Sequence, residues 1–375
     1  MAIPGVLATK AQTVMLLAGA ITNDITDVCT FEAGTAYGAR GTVNFAWPVS
    51  NDPDFSVVQE EYNTKILTGR ASKTHTGGWS NIIMRKHGET QYDFDGNAYS
   101  LAVPLRGLTQ RGFAEGDLTP FTKAFTVPTS LRTTGEGLYP EFYLYLARYM
   151  NATNYFLMEG CVTKSITLSS DGGPLKCSAS FIGRTPTNDS VAGVTSLASA
   201  SLVVDPRQAL LWRNAVVRLD DSDTDDANVN CSGFSLTVDG GWTPVFGAYA
   251  GDGVIRPRKF MPGAEGFSIS GSLKFPYEAL TYDAGMRPWL DYMASDVAAA
   301  NVNTLKPSRT LTIFWGSVAA TTAGELSIVC EVLFDKPVAS AENEHTIELP
   351  FTAYSAAGSG VEPCTITLSD AVETV

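Results

Sequence analysis

Ser165-Ile-Thr-Leu-Ser-Ser-Asp171-Gly-Gly173 decides the reading of this chain, because a near copy, Phe234-Ser-Leu-Thr-Val-Asp239-Gly-Gly241, follows with its turn 68 residues further on. In both strings polar residues alternate with apolar ones, the two-residue period of a strand with one buried and one wet face. Each string then runs into Asp-Gly-Gly, whose glycines accept positive φ, so each is expected to send the chain back as a β-hairpin. The turn residues are Asp171, Gly172 and Gly173 in the first copy and Asp239, Gly240 and Gly241 in the second. A chain that uses one β-unit twice reads as two halves of one fold in which the two strings are equivalent strands. It reads as a building block sooner than as a catalyst.

The same period recurs along the chain. Phe267, Ile269, Leu273 and Phe275 interleave with Ser268, Ser270, Ser272 and Lys274, giving one apolar and one hydroxyl-rich face. Leu311, Ile313 and Trp315 repeat the pattern, as do Leu326, Ile328, Cys330 and Val332, and then Ile347, Leu349 and Phe351. Such strings describe an antiparallel sheet that is half solvated, or one whose polar face lines something wet. Phe142 to Tyr149 is aromatic enough for a strand, and Asn151 to Asn154 reads as a turn into a second apolar run, Tyr155 to Met158. The clearest helix pattern follows Asp283, where Met286, Leu290, Met293 and Val297 share one face.

The fold class that follows is mainly β: two tandem antiparallel β-sandwich or barrel domains, each with little helix. Val194 to Ser201 is small and polar enough to be a linker, which places the first domain at residues 1–198 and the second at 199–375. Each half is a comfortable size for one hydrophobic core. Inside the first, residues 51–64 are polar and poor in core-forming side chains and read as a long projecting loop. Asp52, Asp54, Glu60 and Glu61 are its candidate assembly contacts.

Only 17% of the residues are charged, against about 25% in ordinary soluble chains. A surface poor in charge is one that partners cover, and Arg outnumbering Lys points the same way. The net charge of −13 excludes tight nucleic-acid binding through clustered basic residues. It is compatible with a wall that DNA slides past, since like charge repels the polyanion. The six cysteines, at 29, 161, 177, 231, 330 and 364, form no C-x-x-C pair and read as small hydrophobes in strands. Thr13 to Ile21 is apolar like a signal segment but has only Lys10 as a basic flank, and no run is long enough to span a bilayer. A soluble protein made in the cytoplasm, with no membrane partner, is expected.

Chemistry is sparse. His75, His87 and His345 lie in unrelated contexts, and there is neither H-E-x-x-H nor a G-x-S-x-G elbow. Gly251-Asp-Gly253 lacks the third glycine of a dinucleotide fingerprint. No enzyme, cofactor or metal is expected. The acidic cluster Asp220, Asp221, Asp223, Asp225 and Asp226 has the D-x-D-x-D start of a calcium loop. However, Asp226 stands where the loop needs Gly and Ser232 where it needs Glu, so a solvated turn between Val216 to Leu219 and Val229 to Val238 is the better account. A carbohydrate-binding or adhesin-type β-sandwich is the alternative from another class, with Trp212, Trp242 and Tyr249 as its sugar platform.

Cys161 to Gly183, a glycine-bounded hairpin, resembles the hairpin of phage tail tube proteins (major tail proteins), especially those of long-tailed, non-contractile phages. The order of the later elements is similar too: Ala215 to Val238, Gly266 to Phe275, a helix, then Leu311 to Trp315, Leu326 to Phe334, Thr346 to Tyr354 and Cys364 to Leu368. The resemblance runs from about Gly135 to the end and rests on element order, with weaker strings at Val43 to Val49 and Ile66 to Arg70. It implies a virion protein, assembled in the host cytoplasm, whose rings stack into a hollow tail tube through which DNA is ejected. It implies a homotrimer with pseudo-sixfold symmetry when one chain carries two tube domains. It also implies a tape-measure protein in the lumen and terminator and tip proteins at the tube ends. Carboxylates should then outnumber basic groups on the lumen wall, with the Asp220 to Asp226 turn as a candidate lumen or ring-edge site.

Overall fold

β-branched and aromatic residues in alternation with small polar ones make most of the described chain strand. The computed structural model describes residues 13–18, 43–48, 55–62, 82–109, 121–126, 144–149, 155–186, 201–204, 209–220, 227–229, 231–248, 255–262, 266–276, 309–320, 322, 324–336, 338–340, 346–354 and 362–370. The first-half strands are β1 (Thr13–Ala18), β2 (Val43–Pro48), β3 (Ser56–Tyr62), β4 (Ile82–Asp95), β5 (Phe121–Thr126), β6 (Leu144–Tyr149), β7 (Tyr155–Asp171) and β8 (Lys176–Gly183). Then come β9 (Ser201–Val204), β10 (Ala215–Asp220), β11 (Ala227–Asn228), β12 (Gly233–Asp239), β13 (Trp242–Ala248), β14 (Ile255–Pro262) and β15 (Ser268–Pro276). The last are β16 (Arg309–Trp315), β17 (Leu326–Phe334), β18 (Val338–Ser340), β19 (Thr346–Ala353) and β20 (Cys364–Asp370). One α-helix, α1 (Ala98–Thr109), is present among the described residues. The fold is mainly β and largely antiparallel; β2 runs parallel to β9, and β14 touches β4 through a single parallel pair.

Two sheets hold the core. One has the order β3-β4-β8-β7-β12-β15-β19-β18, every neighbour antiparallel. The other has the order β11-β10-β16-β17-β20-β5. They meet at β17, whose first residues pair with β20 and whose last three, Val332 to Phe334, pair with β19. Side chains from the two sheets interdigitate: Phe234 on β12 lies 6.0 Å from Trp315 on β16, and Trp212 stacks on Phe234 at 5.2 Å. α1 packs on β7, β5 and β20. Leu101, Leu105 and Leu108 on it are at most 1% exposed, each contributing about 1.5–3 kcal/mol by burial. A smaller sheet, β9-β2-β1-β6, continues into the N-terminal part of β7.

Six strand pairings in the first half have a counterpart in the second. β1 pairs with β2 and β6, β6 with β7, β3 with β4, β4 with β8 and β7 with β8. In the same chain order β10 pairs with β11 and β16, β16 with β17, β12 with β15, β15 with β19 and β18 with β19. Register agrees as well: β4–β8 runs from Gly88↔Gly183 to Asp95↔Lys176, and β15–β19 from Ile269↔Ala353 to Pro276↔Thr346. Buried Tyr92, Phe94, Cys177, Ala179 and Phe181 then correspond to buried Leu273, Phe275, Ile347, Leu349 and Phe351.

This repetition differs from the one expected of the two Asp-Gly-Gly strings. By pairing, β12 corresponds to β3, whereas β7 corresponds to β17 and β18, so the strings occupy non-equivalent places. They pair with each other instead, from Gly233↔Asp171 to Asp239↔Ser165. The first string makes the expected hairpin with β8, turning through Gly172 at φ 75°. The second does not: β7 and β15 occupy both edges of β12, so after Gly241 (φ 60°) the chain leaves as β13, which pairs with β14. A strand has only two edges, and a turn sequence closes a hairpin only when one of them is open.

The loop expected at 51–64 is also corrected in its described part, since Ser56–Tyr62 is a strand paired with β4 and bulged between Glu60 and Glu61. Its valines favour extended backbone and outweigh the polar residues that follow. The strand expected at Phe142 to Tyr149 is present in its described part, Leu144–Tyr149, and the strands expected from Tyr155 and around Ile269, Ile313, Ile328, Leu349 and Ile366 are present. The expected helix after Asp283 and the linker up to residue 200 lie outside the described residues. α1 has no expectation behind it; its Pro104 hides the helical pattern, yet Asn97 caps it by accepting from the Ser100 N–H at 2.8 Å.

Candidate functional site

The period of two that buries one face of the eight-strand sheet leaves the other polar, and that face is rich in hydroxyls. One row across it reads Asp93, Ser178, Thr167, Thr237, Ser270 and Thr352, one residue per strand from β4 to β19. The next row on one side reads Asp95, Lys176, Ser169, Ser235 and Ser272; the row on the other side reads Gln91, Ser180, Ser165, Asp239 and Ser268. The face therefore continues without a break across the junction between β7 and β12. There the Thr167 and Thr237 hydroxyls share a hydrogen bond of 3.0 Å.

Its charges are arranged in a consistent way. Lys164 Nζ lies 3.4 Å from Glu89 Oε1, Lys176 Nζ meets Asp95 Oδ1, and Lys274 Nζ lies 3.2 Å from Asp171 Oδ1. Each is an exposed pair worth about 0–1 kcal/mol in stability, so its effect is on the surface potential. The remaining carboxylates accept from neutral donors: Asp93 from Ser178 Oγ at 2.6 Å, Glu348 from Ser272 Oγ at 2.6 Å, and Asp239 from the Gly241 N–H at 2.8 Å. Glu60, Glu89, Asp93, Asp95, Asp171, Asp239 and Glu348 thus stand against Arg85, Lys164, Lys176 and Lys274, and each of these four cations is engaged by a carboxylate. A polyanion approaching this wall meets hydroxyls and negative charge.

A groove of about 320 Å³ opens on this face beside β3, lined by Ser56, Glu89, Gln91, Lys164, Ser165 and Ser180 among others. His87 Nε2 lies 3.4 Å from the same Glu89 carboxylate that meets Lys164. The groove has hydroxyls but no nucleophile held by a base. Among the described residues no cluster of His, Cys, Asp and Glu could hold a metal ion, and no helix is long and apolar enough to cross a membrane.

The residues singled out from sequence are dispersed. Asp171 and Asp239 lie at opposite ends of the β7–β12 junction, both on the hydroxyl face. Glu60 lies at the exposed edge of the same sheet, 3.4 Å from Arg85, and Glu61 follows it across the bulge. Asp52 and Asp54 lie outside the described residues, as do Asp221, Asp223, Asp225 and Asp226. Asp220 ends β10, which pairs with β11 and β16 in the other sheet. Trp212 and Trp242 are not a sugar platform: both are buried, and their indole N–H groups donate to the Cys231 and Leu108 carbonyls. Tyr249 lies outside the described residues. The polar faces of β7, β12 and β15 follow from their alternation; that β8 joins them and that all four form one surface is legible only in the strand pairing. No protein-family model and no curated protein matches the chain.

Proposed function

We propose that the chain is a structural virion protein of the phage tail-tube type, a subunit whose rings stack into a conduit for DNA. The observation that carries this reading is the unbroken hydroxyl face with its lysines neutralised. A conduit must line its bore with groups that water satisfies and DNA does not grip, because each accessible ammonium adds an attraction to be broken during passage. The repeated pairing pattern supports two tandem units on either side of about residue 198, and hence three copies in a pseudo-sixfold ring. On this reading a tape-measure protein fills the bore before ejection, terminator and tip proteins cap the ends, DNA passes without specific binding, no cofactor or membrane takes part, and the mature location is the phage tail.

Electron microscopy of the purified protein tests the reading, with mass measurement on any rings. Tubes or rings of three copies are expected. Rings of six would overturn the trimer, and a monomer that persists at high concentration would overturn the tube.

A further inference from the structure

Cys330 and Cys364 are two buried thiols that the proposed conduit does not use. Cys330 lies in β17 and Cys364 opens β20, and the register puts them directly opposite one another. Both are at most 1% exposed, and both are free thiols. The Cys330 thiol donates to Cys364 Sγ at 2.9 Å, so nothing stands between the two sulfurs.

The backbone ladder decides what such a pair can do. One position on, the Glu331 N–H donates to the Pro363 carbonyl at 3.1 Å, which makes Glu331 and Pro363 the hydrogen-bonded pair. Hydrogen-bonded and non-hydrogen-bonded pairs alternate along an antiparallel ladder, so Cys330 and Cys364 are a non-hydrogen-bonded one. At such a pair the Cα atoms approach to about 4.5 Å and the side chains lie closest, within the roughly 4.4–6.8 Å that a disulfide bridges. The other described cysteines are placed differently. Cys177 stands opposite Phe94 and Leu168, and the Cys161 and Cys231 thiols donate to the Met158 and Gly233 carbonyls. We propose that Cys330 and Cys364 form a disulfide in oxidising surroundings, a covalent staple between β17 and β20.

Cys364 is the first residue of β20, and strand ends open at a lower free-energy cost than strand centres, which gives an oxidant access to a buried sulfur. With oxidised glutathione as the oxidant, the Cys364 thiol gives up its proton and its thiolate attacks one glutathione sulfur. The glutathione S–S bond breaks and one glutathione thiolate leaves. The Cys330 thiol then gives up its proton, its thiolate attacks the Cys364 sulfur, and the second glutathione thiolate leaves. Two protein thiols have lost two electrons and two protons, and one oxidised glutathione has become two reduced ones. The bond closes the segment that carries β18 and β19, so the unfolded chain loses freedom and the folded one gains stability. It acts on β17, the strand at which the two core sheets meet.

The full chain, purified in dithiothreitol and then freed of it, is equilibrated with a mixture rich in oxidised glutathione, quenched with iodoacetamide in denaturant and mapped by peptide mass. Peptides joined through Cys330 and Cys364 are expected, lighter than the two separate peptides by two hydrogen atoms. The linked protein should melt at a higher temperature than the same sample returned to dithiothreitol. Cys364→Ala should remove both the link and the redox dependence of melting. Alkylated Cys330 and Cys364, a mixed disulfide of either with glutathione, or a link from either to another cysteine would overturn the disulfide. Equal melting of the linked and reduced forms would overturn the staple. Mass and melting are read on monomers and rings alike, so neither result bears on the tube reading.

Discussion

Leu168 and Leu236 lie directly opposite one another across the β7–β12 junction, and they are the same position, three residues before Asp-Gly-Gly, in the two similar strings. The strings therefore meet about a local two-fold axis instead of lying one in each of two equivalent places. Both leucines are 1% exposed and belong to the shared core. Replacing either by Ala should cost about 2–5 kcal/mol in chemical unfolding. The double variant should cost less than the sum, because the two cavities adjoin; strict additivity would show that they do not share packing.

Gly271 sits between Leu236 and Phe351 in the same row, where a Cβ would come 2.3 Å from the Ser235 carbonyl oxygen and 2.4 Å from Phe351 Cζ. Backbone on one side leaves no route for relief. Gly271→Ala should destabilise by at least about 1–3 kcal/mol, whereas Gly173→Ala, with nothing within 4 Å, should not. Thermal melting of the two variants compares them directly.

Glu325 organises the β16–β17 turn by accepting from Ser317 Oγ at 2.7 Å and from the Thr322 N–H at 3.0 Å. Partial burial pushes its pKa up, but the hydrogen bonds from Thr322 and Ser317 outweigh it and hold the carboxyl below its ordinary value. A carboxyl lowered on folding contributes stability that is present above its unfolded pKa and lost as pH falls through the folded one. Wild type should therefore lose its advantage over Glu325→Gln as pH falls below the ordinary glutamate pKa and through the lower folded one. An advantage that stays constant into strong acid would rule this out.

Burial pushes the Cys177 thiol well above its ordinary value, with the Asp93 carboxylate adding to it, and Cys231 is raised to about 11. Cys330 is raised by its contact with Cys364, 2.9 Å away, and by burial. Thiolate, the reactive form, is then scarce at pH 8. Native protein should leave these cysteines unmodified by iodoacetamide over times in which denatured protein reacts fully, as peptide mass mapping would show.

The charge of the hydroxyl face has its own test. Ser235→Lys with Thr237→Lys adds two ammonium groups opposite Ser169 and Thr167, whose hydroxyls cannot neutralise them. On the proposed tube reading, assemblies of this variant should retain DNA at low salt and release it as salt rises, since the screening length falls to about 10 Å at 0.1 M. Equal passage at every ionic strength would show that this face does not line the bore.

Alternation of small polar and apolar residues was enough, from sequence alone, to establish strands, their buried faces and a hydroxyl-rich surface, because a pleated backbone has one period and side chains must follow it. The acidic balance followed from composition. Which strand lies beside which is a different matter. β12 carries a hairpin turn at Asp239-Gly-Gly241 but has no open edge, because residues 68 positions earlier and about 35 later fill both. The repeat that the pairings reveal, β3-β4-β8-β7 against β12-β15-β19-β18, keeps little residue identity: Tyr92 stands for Leu273 and Asp93 for Lys274. Packing asks only for apolar volume on one face, so such a repeat leaves almost no trace in the sequence, and the tertiary structure alone decides where it lies.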